Sequence, residues 1–160
     1  MPVLEIEAVV PAPRPEVFAF FENPLNLKKL TPRAMDFTIR EIGELPAKPG
    51  FRIVYTIKWL FVPIKWVTIF EEYDPPHGFT DVQARGPYRL WRHEHSFEDL
   101  GDRTLMRDRV QYELPFGILG SIVHRLIVAR QLERIFDYRT RRIRKLFVET
   151  GVAAARVAQP

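Results

Sequence analysis

The stretch from about residue 35 to residue 114 restricts the fold more than any other part of this chain, because it contains one strand-like segment after another. Clusters of Pro, Gly and Asp divide it at 46–50, 62–63, 74–78, 86–87 and 99–102, and such clusters favour turns. No segment with a helical period interrupts it. Because parallel strands need long crossover connections, usually through a helix, the pattern predicts a consecutive antiparallel sheet.

One face of this sheet is expected to be aromatic. In the segment "FRIVYTIKWLF" every odd position is apolar or aromatic: Phe51, Ile53, Tyr55, Ile57, Trp59 and Phe61. Alternation of this kind is typical of a half-buried strand. With a turn at Val62–Pro63, Trp59 would lie opposite Trp66. Tyr55 would then lie opposite Phe70, and the paired rings would form a concave aromatic wall.

Helices are expected on both sides of the strand region. After a first alternating strand, "VLEIEAVV", the segment "PAPRPEVFAFF" and the pair Asn23–Pro24 each begin a short helix. From Gly117 to Phe147, apolar residues recur at spacings of three, four or seven, which predicts one long amphipathic helix. They are Leu119, Ile122, Leu126, Ala129, Leu132, Phe136, Ile143 and Phe147.

The second half of this helix is basic, and we expect its charged residues to lie on a solvated outer face. They are Arg134, Arg139, Arg141, Arg142, Arg144 and Lys145. No pattern continues after residue 147, so we predict a single domain over 1–147 and a loosely ordered tail over 148–160.

Composition excludes several classes of protein. The chain of 160 residues has no cysteine, so disulfides and thiolate chemistry are excluded and a reducing compartment is favoured. Its first residues do not have the basic and then apolar pattern of a signal peptide, and no apolar run is long enough to span a membrane. We therefore expect a cytoplasmic protein. The net charge of +4 is too small to indicate nucleic-acid binding.

His93 and His95 are the polar residues of greatest interest, and a metal site is the first hypothesis for them. Two histidines at i and i+2 on a strand can face one ion, but metal binding needs two or three converging ligands. Glu98 falls on the opposite face from His95, and neither His77 nor His124 lies in a second ligand motif. We therefore predict no metal and no cofactor.

Acid–base catalysis is the second hypothesis. With a two-residue turn at Leu100–Gly101, His93 would face Asp108 across two strands, and a carboxylate beside an imidazole can fix its tautomer. His95 would then face Met106, and Trp91 would face Val110. The third hypothesis is that Trp91, His93, His95 and Phe97 form one strand face that lines an apolar cavity and supplies a few polar contacts. We favour this third hypothesis.

Four segments resemble the START-like superfamily, also called SRPBCC, and within it a bacterial branch of ligand-binding proteins. They are "APRPEVFAFFENPLNLKKLTP" at 12–32, "GPYRLWRHEHSFE" at 86–98, "DRVQYELPFGILG" at 108–120 and "LERIFDYRTRRIRKLF" at 132–147. The superfamily includes polyketide cyclases, lipid-transfer domains and birch-pollen-allergen-like proteins. The resemblance implies an α+β helix-grip fold, in which a curved antiparallel sheet wraps around the long C-terminal helix and leaves an apolar cavity between them.

The resemblance and the aromatic strand faces together predict binding or transport of a small to medium hydrophobic ligand, such as a lipid, a quinone or a polyketide-like aromatic. The predicted ligand-binding residues are Tyr55, Ile57, Trp59, Trp66, Phe70, Trp91, His93, His95, Asp108, Tyr112, Leu119, Val123 and Leu126. One alternative is a cyclase or dehydratase that uses His93 and Asp108. Another is a module that docks on a membrane surface or a partner protein through the basic C-terminal helix.

Overall fold

The computed structural model describes residues 1–59, 61–115 and 127–157, with 150–157 described by backbone only. Its strands are β1 (Val3–Val10), β2 (Thr38–Ile42), β3 (Arg52–Trp59), β4 (Val62–Asp74), β5 (Gly78–Arg85), β6 (Leu90–Asp99) and β7 (Thr104–Glu113). Its helices are α1 (Arg14–Glu22), α2 (Leu27–Leu30) and α3 (Ala129–Val157), with single 3-10 turns at Pro24–Asn26 and Arg33–Met35.

The strands form one sheet in the order β1-β7-β6-β5-β4-β3-β2. Every pairing between the described strands is antiparallel, which confirms the predicted meander. The concave face carries the aromatic side chains, and α3 packs against that face through Leu132, Phe136 and Ile143. This is the predicted α+β helix-grip architecture.

The two short helices between β1 and β2 close one end of the sheet. The Asn23 side chain accepts a hydrogen bond from the Leu25 backbone N–H at 3.0 Å, the capping role that its sequence position predicted. Val17, Phe18 and Phe21 of α1 are buried, and Phe18 packs edge-on against Phe97 of β6. The helices therefore continue the hydrophobic core beyond the sheet.

The predicted turn between β3 and β4 is wrong by two residues. Trp59 pairs with Val62, and Tyr55 pairs with Trp66, so the predicted Trp59–Trp66 and Tyr55–Phe70 pairs do not form. The chain reverses two residues earlier, next to Phe61, which adopts a left-handed conformation with φ 71°. The register changes by an even number of residues, so Ile53, Tyr55, Ile57 and Trp59 still face the concave side and line the cavity. The predicted place of Phe61 on that aromatic face is wrong, because Phe61 lies at the reversal and its side chain is 95% exposed.

The predicted turn between β6 and β7 is also wrong. Asp99 pairs with Thr104, and Leu100 N–H donates to Arg103 O at 2.9 Å, so a longer loop replaces the predicted turn at Leu100–Gly101. Gly101 takes the left-handed conformation that this loop requires, with φ 84°. The predicted pairs His93–Asp108, His95–Met106 and Trp91–Val110 are replaced by His93–Val110, His95–Asp108 and Trp91–Tyr112.

Helix α3 runs from Ala129 to Val157, so the helical backbone continues past the domain boundary that we expected at residue 147. The predicted pocket residues Leu119, Val123 and Leu126 lie outside the described residues. None of the described helices combines the length and the apolar character that a membrane span requires.

Candidate functional site

A cavity of about 150 Å³ lies between the concave face of the sheet, the short helices and α3. Its walls include many of the predicted ligand-binding residues: Tyr55, Ile57, Trp59, Trp66, Phe70, Trp91, His93 and His95. Asp108 lies behind the two histidines, and Tyr112 is buried beside Trp91. The two strand faces predicted to form a pocket therefore do meet around one space.

One half of the cavity wall is aromatic. Trp66 stacks on Tyr55, with ring centroids 6.1 Å apart, and meets Trp91 edge-on at 5.3 Å. The indole Nε1 of Trp59 donates a hydrogen bond to the Tyr88 hydroxyl at 3.2 Å. All three tryptophans of the chain line this one cavity. Such a wall suits flat or aliphatic ligand groups, because ring faces offer large apolar area with little loss of side-chain entropy.

The other half of the wall carries Asp81, His93 and His95, and with Asp108 behind the histidines they form a cluster of four ionisable side chains from three neighbouring strands. Asp81 of β5 pairs with His93 of β6, and His95 of β6 pairs with Asp108 of β7. Because residues two apart on a strand share a face, these pairs place all four side chains on the concave side. His93 and His95 are each 4% exposed and Asp108 is 2% exposed, so these three groups are almost completely removed from water, whereas Asp81 is half-buried.

The two imidazoles lie between two carboxylates. Asp108 Oδ1 is 3.0 Å from His93 Nε2 and 2.7 Å from His95 Nδ1. The opposite nitrogens face Asp81 Oδ2, at 3.1 Å for His95 Nε2 and 3.8 Å for His93 Nδ1. The 2.7 Å contact is too poorly directed to form a hydrogen bond, so we treat it as a close charge contact. The His93–Asp108 contact proposed from sequence therefore exists, but it is diagonal across the strands.

The environment shifts the pKa values of the two histidines in opposite directions. Burial lowers the pKa of His93, and the neighbouring charge on His95 lowers it further. Burial also acts to lower the pKa of His95, but the Asp108 carboxylate and the hydrogen bonds outweigh it, and the pKa is raised. Burial acts to raise the pKa of Asp108, yet the charge on His95 and the bond from His93 hold that pKa well below its usual range. The cluster therefore favours a proton on His95 over a proton on His93, beside an ionised Asp108.

Arg139 does not lie on the solvated outer face of α3, and that prediction is wrong for this residue. Its guanidinium lies 5.4 Å from the Phe21 ring centroid and 5.9 Å from that of Phe136, and it lines the cavity. Within the described part of the chain, its Nε is buried without a hydrogen-bond partner. The cavity is therefore lined by a cation with an N–H group that can donate a hydrogen bond to a ligand.

Asp81 is the second site residue that sequence reasoning missed. Its segment, "GFTDVQAR", reads as an ordinary strand with a polar residue at the fourth position. Nothing local shows that this position meets His93, because their contact depends on the register between β5 and β6. Arg139, in contrast, had a visible signal: it falls between Phe136 and Ile143 at spacings of three and four, in the apolar stripe of the helix.

Comparisons with known proteins agree with this architecture. A START superfamily protein from Mycobacterium smegmatis is similar over 90% of this chain and 98% of its own, with 14% identity and a TM-score of 0.67. Ara h 8.0201 is similar over 89% of this chain and 97% of its own, with 15% identity and a TM-score of 0.58. No family model matches the chain, and no curated protein matches it.

A third similar structure shows the same fold within a larger protein. The nucleoside-diphosphate sugar epimerase from Corynebacterium glutamicum is 23% identical, with a TM-score of 0.65, over 89% of this chain but only 28% of its own. At such identities the likeness concerns the fold alone. The sheet, the short helices and the C-terminal helix give this chain a START-like helix-grip fold.

Proposed function

We propose that this protein binds a small, mainly apolar molecule with one polar end in the cavity between the sheet and α3. The observation that carries the proposal is the division of the cavity wall. Aromatic rings form one part of it, and buried His93 and His95 with half-buried Asp81 and Arg139 form another. Ligand sites are commonly built in this way, with apolar walls for affinity and a few polar groups that fix orientation.

The residues of the wall favour a flat or aliphatic ligand with an oxygen atom that accepts hydrogen bonds. The stacked and perpendicular rings of Tyr55, Trp66 and Trp91 offer apolar surface, and the guanidinium of Arg139 offers donors. Lipids, quinones and polyketide-like aromatics all fit this description. Among them, the charge of Arg139 favours molecules with a carboxylate, an enolate or a carbonyl oxygen.

The test begins with native mass spectrometry of the purified protein and organic extraction of anything that it retains. Because all three tryptophans line the cavity, their fluorescence then reports on binding of each extracted or candidate ligand. We expect Ile135→Phe, which adds volume at the cavity wall, to weaken binding at least tenfold. The matched control is Val148→Phe on an exposed position of the same helix. Equal affinities in both variants would place the ligand elsewhere and contradict the proposal.

A second candidate function is acid–base catalysis, favoured by the 3.0 Å contact between His93 Nε2 and Asp108 Oδ1. In the tautomer that carries its proton on Nε2, His93 donates Nε2–H to Asp108, and its Nδ1 lone pair can then take a proton from a substrate. Cyclisation or dehydration of a polyketide-like molecule needs such a base. If this function is correct, His93→Gln abolishes turnover of the bound substrate but leaves its binding constant within a few-fold. Unchanged turnover in this variant would exclude His93 as the base.

A further inference from the structure

We propose that Asp81, His93 and His95 form a binding site for a divalent first-row transition metal ion, with Asp108 as the residue that positions both imidazoles. The inference depends on the geometry of these four side chains and not on the identity of the cavity ligand. It also assigns the cluster a chemistry that neither candidate function requires.

The ligand atoms have the separations that a small metal ion needs. Asp81 Oδ2 is 3.1 Å from His95 Nε2 and 3.8 Å from His93 Nδ1, and the three residues can each offer one ligand atom such that these atoms lie within 4.8 Å of one another. Ligand bonds of roughly 2.0–2.1 Å place neighbouring ligand atoms of a tetrahedral ion about 3.3 Å apart. The two measured distances lie on either side of that value, so small side-chain rotations close the site.

The remaining nitrogen of each histidine lies beside one carboxylate, Asp108, although only His93 Nε2 is directed well enough to form a hydrogen bond with it. Metal-bound histidines usually donate their second N–H to a carboxylate or a carbonyl, which fixes the tautomer and the ring direction. Here Asp108 Oδ1 faces His93 Nε2 at 3.0 Å and His95 Nδ1 at 2.7 Å. With both rings neutral and protonated toward Asp108, the lone pairs of His93 Nδ1 and His95 Nε2 point to the side where Asp81 lies.

The charges of the buried groups also favour a cation. Metal binding would displace the proton that the cluster places on His95, and with both imidazoles neutral Asp81 and Asp108 contribute two negative charges while Arg139 contributes one positive charge. Uncompensated buried negative charge is costly, so a divalent ion is a favourable counter-charge. The site would then carry one excess positive charge, which an anionic oxygen in a remaining coordination position neutralises.

That remaining position opens toward the cavity. Asp81, His93 and His95 all line the cavity, so a water molecule or an oxygen atom of a bound ligand can complete the coordination. Two imidazoles and one carboxylate with open positions are the ligand set of catalytic zinc and of non-haem iron sites. The sequence argument against a metal depended on the missing third ligand, and Asp81 of the adjacent strand supplies one.

The test uses protein that is purified without a polyhistidine tag and stripped of metal with a chelator. Titration with Co²⁺ is followed by visible absorption, and titration with Zn²⁺ by calorimetry. We expect one ion per chain, a Co²⁺ spectrum of low coordination number, and thermal stabilisation that increases with free metal. We expect Asp81→Asn and His95→Gln to bind at least 100-fold more weakly. Asp108→Asn should bind about 10- to 100-fold more weakly, because it changes only the residue behind the ligands.

The control variant is His77→Gln, because His77 is exposed and pairs with Asp74 at the surface. It should bind both metals as the wild type does. Circular dichroism identifies variants that fail to fold, and Asp81→Asn tests the site with the least change of shape. Absence of a bound ion in folded wild-type protein, or equal binding by wild type and Asp81→Asn, would show that the cluster is an ion-pair network only. Either outcome leaves the ligand-binding proposal intact, because tryptophan fluorescence tests that separately.

Discussion

His95 and Asp108 face each other directly across β6 and β7, with His95 Nδ1 2.7 Å from Asp108 Oδ1. The same carboxylate oxygen also accepts a hydrogen bond from His93 Nε2. One buried carboxylate therefore contacts both buried imidazoles. Loss of Asp108 should disturb the cluster more than loss of any other member.

Replacement of Asp108 by Asn should therefore destabilise the metal-free protein strongly. The change removes the carboxylate that raises the pKa of His95 and leaves half-buried Asp81 as its one carboxylate partner in the cluster, and removal of one member of a buried ion pair costs about 3–5 kcal/mol. Urea unfolding of wild type and Asp108→Asn at neutral pH measures the loss. Asp102→Asn is the control, because that side chain is exposed. A loss below about 1 kcal/mol would mean that the cluster does not carry this charge pair.

The faces of the strands could be predicted from the sequence, but their registers could not. Alternation along β6 places Trp91, His93 and His95 on one side whatever the pairing, since successive side chains point in opposite directions. The pairing itself depends on the loop conformations at Phe61 and Gly101, where positive φ values change the number of residues in each reversal. Both predicted registers were wrong by an even number of residues. The side chains predicted to line the cavity therefore kept the same face of the sheet.

The polar half of the site was predicted less completely because its members come from separate elements. His93 and His95 are visible as a local pattern, whereas Asp81 joins them only through the order of strands in the sheet. Arg139 was grouped with its basic neighbours, although its spacing from Phe136 and Ile143 placed it in the buried stripe of α3. The run of basic residues suggested a charged outer face. The spacing of Arg139 from the two apolar residues fits the inner position that the structure shows.

Phe61 offers a test of backbone strain at the β3–β4 reversal. Its side chain is 95% exposed and its φ is 71°, a conformation that costs a non-glycine residue roughly 1–2 kcal/mol. Phe61→Gly removes this cost and loses little burial, so we expect stabilisation of about 1 kcal/mol in urea unfolding. Val62→Gly is the contrasting variant, since Val62 lies in β4 and glycine weakens a strand. Destabilisation by Phe61→Gly would show that the ring has a packing role.

The same residue tests the membrane-docking hypothesis. Phe61 lines a surface groove of about 380 Å³ together with Lys58, Arg130 and Arg134, a combination that suits an anionic lipid surface. On this hypothesis, Phe61→Gly weakens binding to vesicles rich in phosphatidylserine, and added salt weakens binding of the wild type. Vesicle sedimentation measures both effects. Equal partition of wild type and variant at low salt would contradict docking through this groove.

Tyr73 should ionise at unusually high pH. Burial and the nearby Glu22 carboxylate, which accepts a hydrogen bond from the hydroxyl, together raise its pKa to about 12, and burial is the larger cause. Because the folded-state pKa lies above the unfolded value of about 10, the associated stability is complete below pH ~10 and is lost as the pH rises toward 12.

Ultraviolet titration of tyrosinate, with Tyr73→Phe subtracted, isolates this group. We expect Glu22→Gln to lower the pKa of Tyr73 but to leave it above the usual value, because burial is the larger cause. Glu16→Gln, an exposed change on the same helix, should have no effect. If wild-type Tyr73 ionises in the usual range for tyrosine, the Glu22 contact does not exist in solution.

Arg139 should determine whether the cavity prefers acidic ligands to neutral ones of the same shape. Its guanidinium lines the cavity and lies over two aromatic rings, and a hydrogen bond to a charged group contributes roughly 1.5–3 kcal/mol. We therefore expect Arg139→Gln to reduce the ratio of affinities for naphthoic acid and naphthalenemethanol at least tenfold. Tryptophan fluorescence measures both ligands in the same variant, so any general loss of packing cancels in the ratio. Arg144→Gln removes an exposed charge from the same helix and should leave the ratio unchanged. Equal losses for the acid and the alcohol would show that Arg139 supports the cavity wall without contacting the polar end of the ligand.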